Sequence, residues 1–288
     1  MGKAVKTIGN PLSWAVEALA GSSRYLGSAA QSIRGDDIAA SPQLRRLDLD
    51  DIGLALRRGA DDFAALRSDV IFVVILYPIV GLCLAALAFQ RELVPLIFPL
   101  MSGFALLGPI AAVGLYEMSR RRERDEPAGL GAAFGVLTSP ASGALFAMGL
   151  GLVGVFVLWM LAAYFIFFVT LGPEAPASVP AFLREVFTTV PGWTMLILGC
   201  GTGFVLAAAT LAMTIVSVPL LLDRHVGVAT AVATSLRLTR QNPVTVAAWG
   251  VVVVVLLVVG TIPMFLGLIF VLPILGHATW HLYRLAVR

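Results

Sequence analysis

The chain reads as an all-α polytopic membrane bundle. Six transmembrane helices form three repeats of an interfacial helix plus a membrane hairpin, with both termini cytoplasmic. Three observations predict this. Hydrophobic residues make up 59% of the 288 and charged residues only 13%, against about 25% charged in a soluble domain. Several apolar runs reach the roughly 20 residues that cross a hydrocarbon core of about 30 Å. With those runs placed as spans, eighteen of the twenty basic residues fall on one side, leaving Arg91 and Arg184 on the other. Such an excess marks the cytoplasmic face and requires an even number of crossings.

Residues 1–47 read as a cytosolic tail, partly disordered or lying on the membrane. Leu12, Ala15, Val16, Leu19, Leu26 and Ile33 make a weak apolar face, and Ser41-Pro42 closes it. The stretch between Lys6 and Ala20 is short and contains Glu17, so no signal peptide is expected and span 1 should direct insertion. Residues 48–288 form the membrane domain. Asp50 or Asp51 can cap a helix in which Ile52, Leu56, Gly59, Phe63 and Leu66 share a face, while Arg57, Arg58 and Asp61 point away. Arg67-Ser68-Asp69 is expected to end it. Span 1 then covers 70–89 and span 2 covers 93–116, joined by Gln90-Arg91-Glu92. Proline leaves a helix carbonyl unpaired, so span 2 should kink at Gly108-Pro109.

The second unit opens with the short face Leu130, Ala133, Phe134 and Leu137, broken at Thr138-Ser139-Pro140. Span 3 follows over 141–171, its far half crowded with Trp159, Tyr164, Phe165, Phe167 and Phe168, as in an interfacial aromatic belt. The loop 172–192 holds four prolines, which argue against a single helix through it, although Phe182 to Phe187 can touch the membrane surface. Span 4 covers 193–222. The third unit is an amphipathic segment ending at Arg240, a break at Gln241-Asn242-Pro243, span 5 over 244–262 and span 6 over 263–283. The parallel positions of the breaks suggest an internal repeat.

The apparent motifs are mostly packing signals. Gly149-x-Gly151-x-x-Gly154 matches a dinucleotide fingerprint as a string, but that motif needs a strand before it, and here it lies inside a span. Gly143, Ala147 and Gly151, like Gly199 and Gly203, have the spacing of close helix packing. The two cysteines, Cys83 and Cys200, lie in apolar runs and form no zinc spacing. There is no Walker loop, no G-x-S-x-G elbow and no nucleophile–base pair at a workable spacing, so an enzyme is not expected. Nucleic acid is not expected as a partner either. The arginines are accounted for by orientation and anionic lipid headgroups.

The informative residues are polar ones at the inner ends of the even-numbered spans. They are Tyr116, Glu117 and Arg120 after span 2, Asp223, Arg224 and His225 after span 4, and His277, His281, Tyr283 and Arg284 on span 6. Structural anchoring is the plainest role for this inner-face cluster. His277 and His281 are four apart and share a helical face, so together they can grip one metal ion or haem, with Glu117, Asp223 or His225 completing the site. No other cofactor is expected.

Two stretches, Gly114-Leu115-Tyr116-Glu117-Met118-Ser119-Arg120 and Gly276-His277-Ala278-Thr279-Trp280-His281-Leu282-Tyr283-Arg284, together with the layout around them, resemble an uncharacterised bacterial integral membrane family, domain of unknown function 2189. The resemblance covers roughly residues 45–285 and implies a multi-pass protein of the bacterial inner membrane. Some members are labelled subunits of cytochrome c oxidase. Three histidines cannot supply the ligand set of a haem–copper core, so the resemblance implies an accessory or assembly role beside a respiratory or photosynthetic complex. Short loops and small-residue helix faces fit a non-enzymatic accessory, assembly or scaffold subunit whose partners are the bilayer and another membrane protein, or copies of itself. The alternatives are a transporter or channel for a small uncharged or amphiphilic solute, suggested by the broken span 2 and the repetition, and a metal- or haem-binding protein using the histidine pair. No charged residue lies deep in a span, which disfavours an ion or proton pathway.

Overall fold

The computed structural model describes residues 42–74, 93–224 and 226–288, together with Ile79 and Ala86 singly. The described residues are helical apart from one isolated antiparallel bridge, Leu44 to Val287. In order they form α1 (Leu49–Val74), α2 (Val94–Leu106), α3 (Gly108–Ala111), α4 (Val113–Glu123), α5 (Leu130–Gly135) and α6 (Ser142–Thr170). There follow α7 (Val179–Thr188), α8 (Val190–Thr214), α9 (Ser217–Asp223), α10 (Val228–Gln241), α11 (Pro243–Thr261) and α12 (Leu268–Ala286).

Among the described residues, three helices are long and apolar enough to cross a membrane: Ser142–Thr170, Val190–Asp223 and Pro243–Thr261. The second is divided into α8 and α9 at Ile215–Val216. Most of span 1 (70–89) lies outside the described residues, as do most of the 1–47 tail, Cys83 and His225. Span 2 is apolar but falls into three pieces, because the chain breaks at Leu107 and again at Ala112 around Pro109. Span 6 starts at Leu268 instead of residue 263. The connection from α11 passes through Met264 (φ 51°) and Phe265 (φ 65°), left-handed conformations that end a helix.

The expected breaks divide by chemistry. Ser139-Pro140 and Asn242-Pro243 do interrupt the helix, because proline disfavours helical geometry in the residue before it. Arg67-Ser68-Asp69 does not: α1 runs through it to Val74. That triplet is polar but holds neither proline nor glycine, so the helix has no reason to stop. The loop 172–192 also differs in part from expectation. All four of its prolines lie outside or at the start of a ten-residue helix, α7, where Pro180 occupies the first turn and costs no hydrogen bond. Small-residue packing is realised at Gly203, which rests on the Trp159 ring, whereas Gly151, Gly154 and Gly199 face open space.

The core lies at one end of the molecule. Tyr116 on α4, Ala144, Leu145 and Met148 at the start of α6, Val218 to Leu222 on α9, Ala231 and Leu238 on α10, and Leu275 to Ala286 on α12 all join one buried cluster. Away from this end the long helices turn many apolar side chains outward: Leu150, Leu161 and Phe165 on α6, Ile197 and Phe204 on α8, Val251 and Val258 on α11. Most of the charged residues and the main core share one end, and an exposed apolar girdle with a smaller buried cluster around Trp159 occupies much of the rest.

The two ends of the described chain meet at that core. Arg45 N–H donates to the Ala286 carbonyl at 2.9 Å, and Arg288 N–H donates to the Gln43 carbonyl at 3.0 Å. Asn242, in the polar break before α11, accepts the Leu47 N–H at 2.8 Å, and Thr245 donates to the Leu47 carbonyl at 2.9 Å. Residues 43–47, placed by sequence in the tail, are thereby stitched to the starts and ends of other helices.

Candidate functional site

The inner ends of α1, α4, α9 and α12 bring three polar groups together. The first lies where α12 packs along α1. Gly59 sits at the closest approach, where an added Cβ would lie 2.6 Å from the Ala278 nitrogen and 2.7 Å from the Ile274 carbonyl oxygen. Without a side chain at 59 the two backbones touch, and Asp62, one turn further on, reaches α12 and α4. Its carboxylate accepts hydrogen bonds from Ser119 and from His281 Nε2 (2.9 Å), and it pairs with Arg122. Ser119 Oγ also lies 2.7 Å from His277 Nδ1. Asp62, Ser119 and His277 are 4%, 1% and 0% exposed, so water has little access to the bonds among these three.

The proton inventory fixes the directions. Burial raises the Asp62 carboxyl, but the hydrogen bonds from His281 and Ser119 and the two nearby imidazoles outweigh it, holding Asp62 below the ordinary carboxylate range. An ionised Asp62 offers no proton, so the single hydroxyl proton of Ser119 goes to Asp62, and His277 Nδ1–H donates to Ser119 Oγ. His277 Nε2 is then a bare lone pair, buried and without a hydrogen-bond partner. This arrangement is the reverse of serine activation, in which the imidazole takes the hydroxyl proton.

The second group centres on Glu117, which is 2% exposed. Arg120 grips both its oxygens at 2.7 and 3.0 Å, and Arg121 adds a third contact at 2.7 Å. Burial raises the Glu117 carboxyl and these two arginines more than reverse that, so it sits below its usual range, while the bonds to Glu117 push Arg120 up. The third group joins α4, α9 and α12. Asp223 accepts from Arg124 at 3.1 Å and from the Tyr283 hydroxyl at 2.8 Å, and lies 3.5 Å from Arg284. Arg284 also donates to Glu123 at 3.0 Å, and Glu123 accepts from Trp280 Nε1 at 3.2 Å. A buried carboxylate is costly unless paired, and here each one is.

The structure thus joins Asp223, Tyr283 and Arg284, and places His277 and His281 on either side of Asp62. It does not bring Glu117 or Asp223 to the histidines, since their oxygens are held by arginines and, for Asp223, by Tyr283 as well. Among the described residues no three His, Cys, Asp or Glu side chains are arranged to hold a metal ion. Tyr116 is buried beside the main core, Arg224 is half-buried at the end of α9, and His225 is outside the described residues. Sequence reasoning missed Asp62, Ser119, Arg122 and Glu123.

No curated protein and no solved structure matches the chain. The model of the family described as "Predicted integral membrane protein (DUF2189)" matches residues 97–223. That stretch contains α4 and the first of the two motifs and ends at Asp223, so the polar cluster is built around a segment that is similar to the DUF2189 family of predicted integral membrane proteins.

Proposed function

We propose that the protein is a non-enzymatic scaffold of the bacterial inner membrane, an accessory or assembly subunit of a larger membrane complex. Six spans in three hairpins place both termini and the polar cluster on the cytoplasmic side. The meeting of residues 43–45 with 286–288 supports an even number of crossings, independently of the arginine count. The observation that carries the scaffold reading is the closure of the cluster. Asp62, Glu117 and Asp223 all have cationic partners, and its serine is 1% exposed. Such a cluster clamps helices rigidly, and the apolar girdle beyond it is free to meet lipid or a neighbouring membrane protein. The resemblance to family members labelled as oxidase subunits suggests a respiratory or photosynthetic complex.

The test is isolation of the tagged protein from its native membranes in mild detergent, with identification of what accompanies it. A stoichiometric membrane partner is expected. A protein that runs alone, and whose deletion alters no membrane complex, would sink the proposal. The broken span 2 favours a second reading, transport of an uncharged or amphiphilic solute, which vesicle flux assays address. A metal- or haem-binding role would engage the unpartnered Nε2 of His277 together with His281. Metal analysis of wild type against His277→Ala decides it.

A further inference from the structure

The end of the molecule opposite the polar cluster carries one short helix that the scaffold reading leaves unused. The start of α6 and the end of α8 lie by the core. Helix α6 has 29 residues, which at about 1.5 Å per residue places its far end about 40 Å away. Helix α7 joins the far ends of α6 and α8, two helices long and apolar enough to cross the membrane. It therefore lies at the level of the opposite membrane surface.

Its position is fixed on three sides. Ser178 caps it by accepting the Ala181 N–H at 3.2 Å. Thr189 ties its end to α8 by donating to the Glu185 carbonyl at 2.7 Å and accepting from Gly192 N–H at 3.0 Å. An added Cβ at Gly192 would collide with the Glu185 carbonyl and the Val186 backbone, so the first turn of α8 presses directly on α7. Val186 is buried, and the Phe182 ring meets Phe167 of α6 with centroids 6.4 Å apart. One side of α7 is thus held by the bundle.

A second apolar edge is not. Val179, Leu183 and Phe187 recur at four-residue spacing and are 38%, 48% and 54% exposed. Val190 and Trp193 extend this edge onto α8, and Trp193 meets Phe187 edge to face while donating to its carbonyl at 3.0 Å. Arg184 and Thr188, also exposed, lie about 120° round the helix from this edge, on the side away from the buried Phe182 and Val186, at 100° per residue. An exposed apolar edge ending in a tryptophan, a separate polar edge and a location at the ends of two spans are the features of a helix lying in the membrane plane.

We propose that α7 is an in-plane anchor in the leaflet opposite the polar cluster. Its Val179–Leu183–Phe187 edge, continued by Val190 and Trp193, is immersed in the boundary between headgroups and acyl chains, and Arg184 and Thr188 face water. The occupant of the exposed edge is lipid. The inference rests on the membrane reading but not on the scaffold role.

Nitroxide labels at single cysteines test it, with Cys83 and Cys200 both replaced by serine and the full chain in nanodiscs of zwitterionic and anionic phospholipid. The labels sit at Leu183, Phe187, Arg184 and Thr188. At 183 and 187, collisions with oxygen should exceed collisions with a water-soluble nickel chelate. At 184 and 188 the order should invert. Labels at Leu150 and Phe204, in the girdle, report whether the bundle is in the bilayer at all. If those two are oxygen-accessible while 183 and 187 are as nickel-accessible as 184, the helix stands clear of the lipid and the anchor is overturned. If Leu150 and Phe204 are nickel-accessible too, the membrane reading itself fails, and the anchor fails with it.

Discussion

Gly59→Ala tests the contact that assembles the cluster. The new methyl would sit 2.6 Å from the Ala278 nitrogen, 2.7 Å from the Ile274 carbonyl oxygen and 2.9 Å from the Ala278 Cα. All three are backbone atoms of α12, so no rotamer change can relieve the clash. The helices must separate by about 1 Å to reach ordinary contact, and overpacking of this kind costs about 1–3 kcal/mol. Alanine also favours the helix by about 1 kcal/mol over glycine, which offsets part of the loss. The control is Gly53→Ala on the same helix, where an added Cβ meets nothing within 4 Å. It receives the propensity gain without the clash. Thermal unfolding in one detergent should place Gly59→Ala below wild type and Gly53→Ala at or above it. A gap of about 2 kcal/mol between them corresponds to about 4–8 °C. Separation should also loosen Asp62 from His281, seen as faster amide exchange in α12 near His281. A Gly59→Ala protein as stable as Gly53→Ala, with unchanged exchange, would refute the reasoning.

Asp62→Asn should destabilise at neutral pH. Because Arg122 is 41% exposed and can be rehydrated, the loss should be about 1–2 kcal/mol, below the roughly 3–5 of a fully buried pair. Asp62 is held below its ordinary value in the fold, so its contribution is present above about pH 4 and lost as pH falls through the folded value. The stability gap between wild type and Asp62→Asn should therefore narrow as pH falls below about 4, and a gap that widens would contradict the ionised, paired state. Asn242→Ala leaves the Leu47 N–H without its partner, at a cost of about 1–3 kcal/mol. Amide exchange at residues 43–47 should rise before exchange in α11 does, and uniform exchange across both would show that the stitch is not local.

The elements most legible in the sequence are those whose punctuation is chemical. Asn242-Pro243 and Ser139-Pro140 stop helices because of proline geometry, which acts locally, and Pro109 breaks span 2 for the same reason. Arg67-Ser68-Asp69 looked equivalent because it is polar, but polarity alone exerts no such constraint. The site was half legible. Tyr283, Arg284 and Asp223 stand out as polar residues ending apolar runs, and they do meet. Asp62 does not stand out, because Asp61 beside it is exposed and a pair of acids in a surface helix reads as solvated. The signal was its angle: at 100° per residue, Asp62 lies about 20° from Ala55 and about 40° from Leu66, so a carboxylate sits at the edge of the stripe that must be buried. A buried acid implies a cation from elsewhere in the fold, and the arginine run at the end of α4 supplies it. Which arginine does so depends on the crossing of α1, α4 and α12, a long-range fact that no local pattern encodes.

The gradient from a packed, ion-paired end to a bare apolar one also bears on how the chain holds its shape. Within the bilayer, association between apolar faces gains nothing from water exclusion, because lipid tails are as apolar as the side chains. The girdle of α6, α8 and α11 is therefore weakly tied together by itself. Order must come from the packed end, where Asp62 and Asp223 bond α1, α4, α9 and α12, and where Leu44 and Val287 close the described chain on itself. Trp159, whose Nε1 donates to the Pro99 carbonyl at 2.8 Å, is a polar tie joining α2 to α6 further out. On this reasoning, loosening the cluster should free the far ends of the helices, whereas loosening the Trp159 tie should free only α2. Amide exchange at Gly103 in Asp62→Asn and Trp159→Phe proteins separates the two. It should rise in both, but exchange in α12 should rise only in the first. Exchange in α12 that also rises on Trp159→Phe would mean that the girdle, and not the cluster, is what organises the bundle.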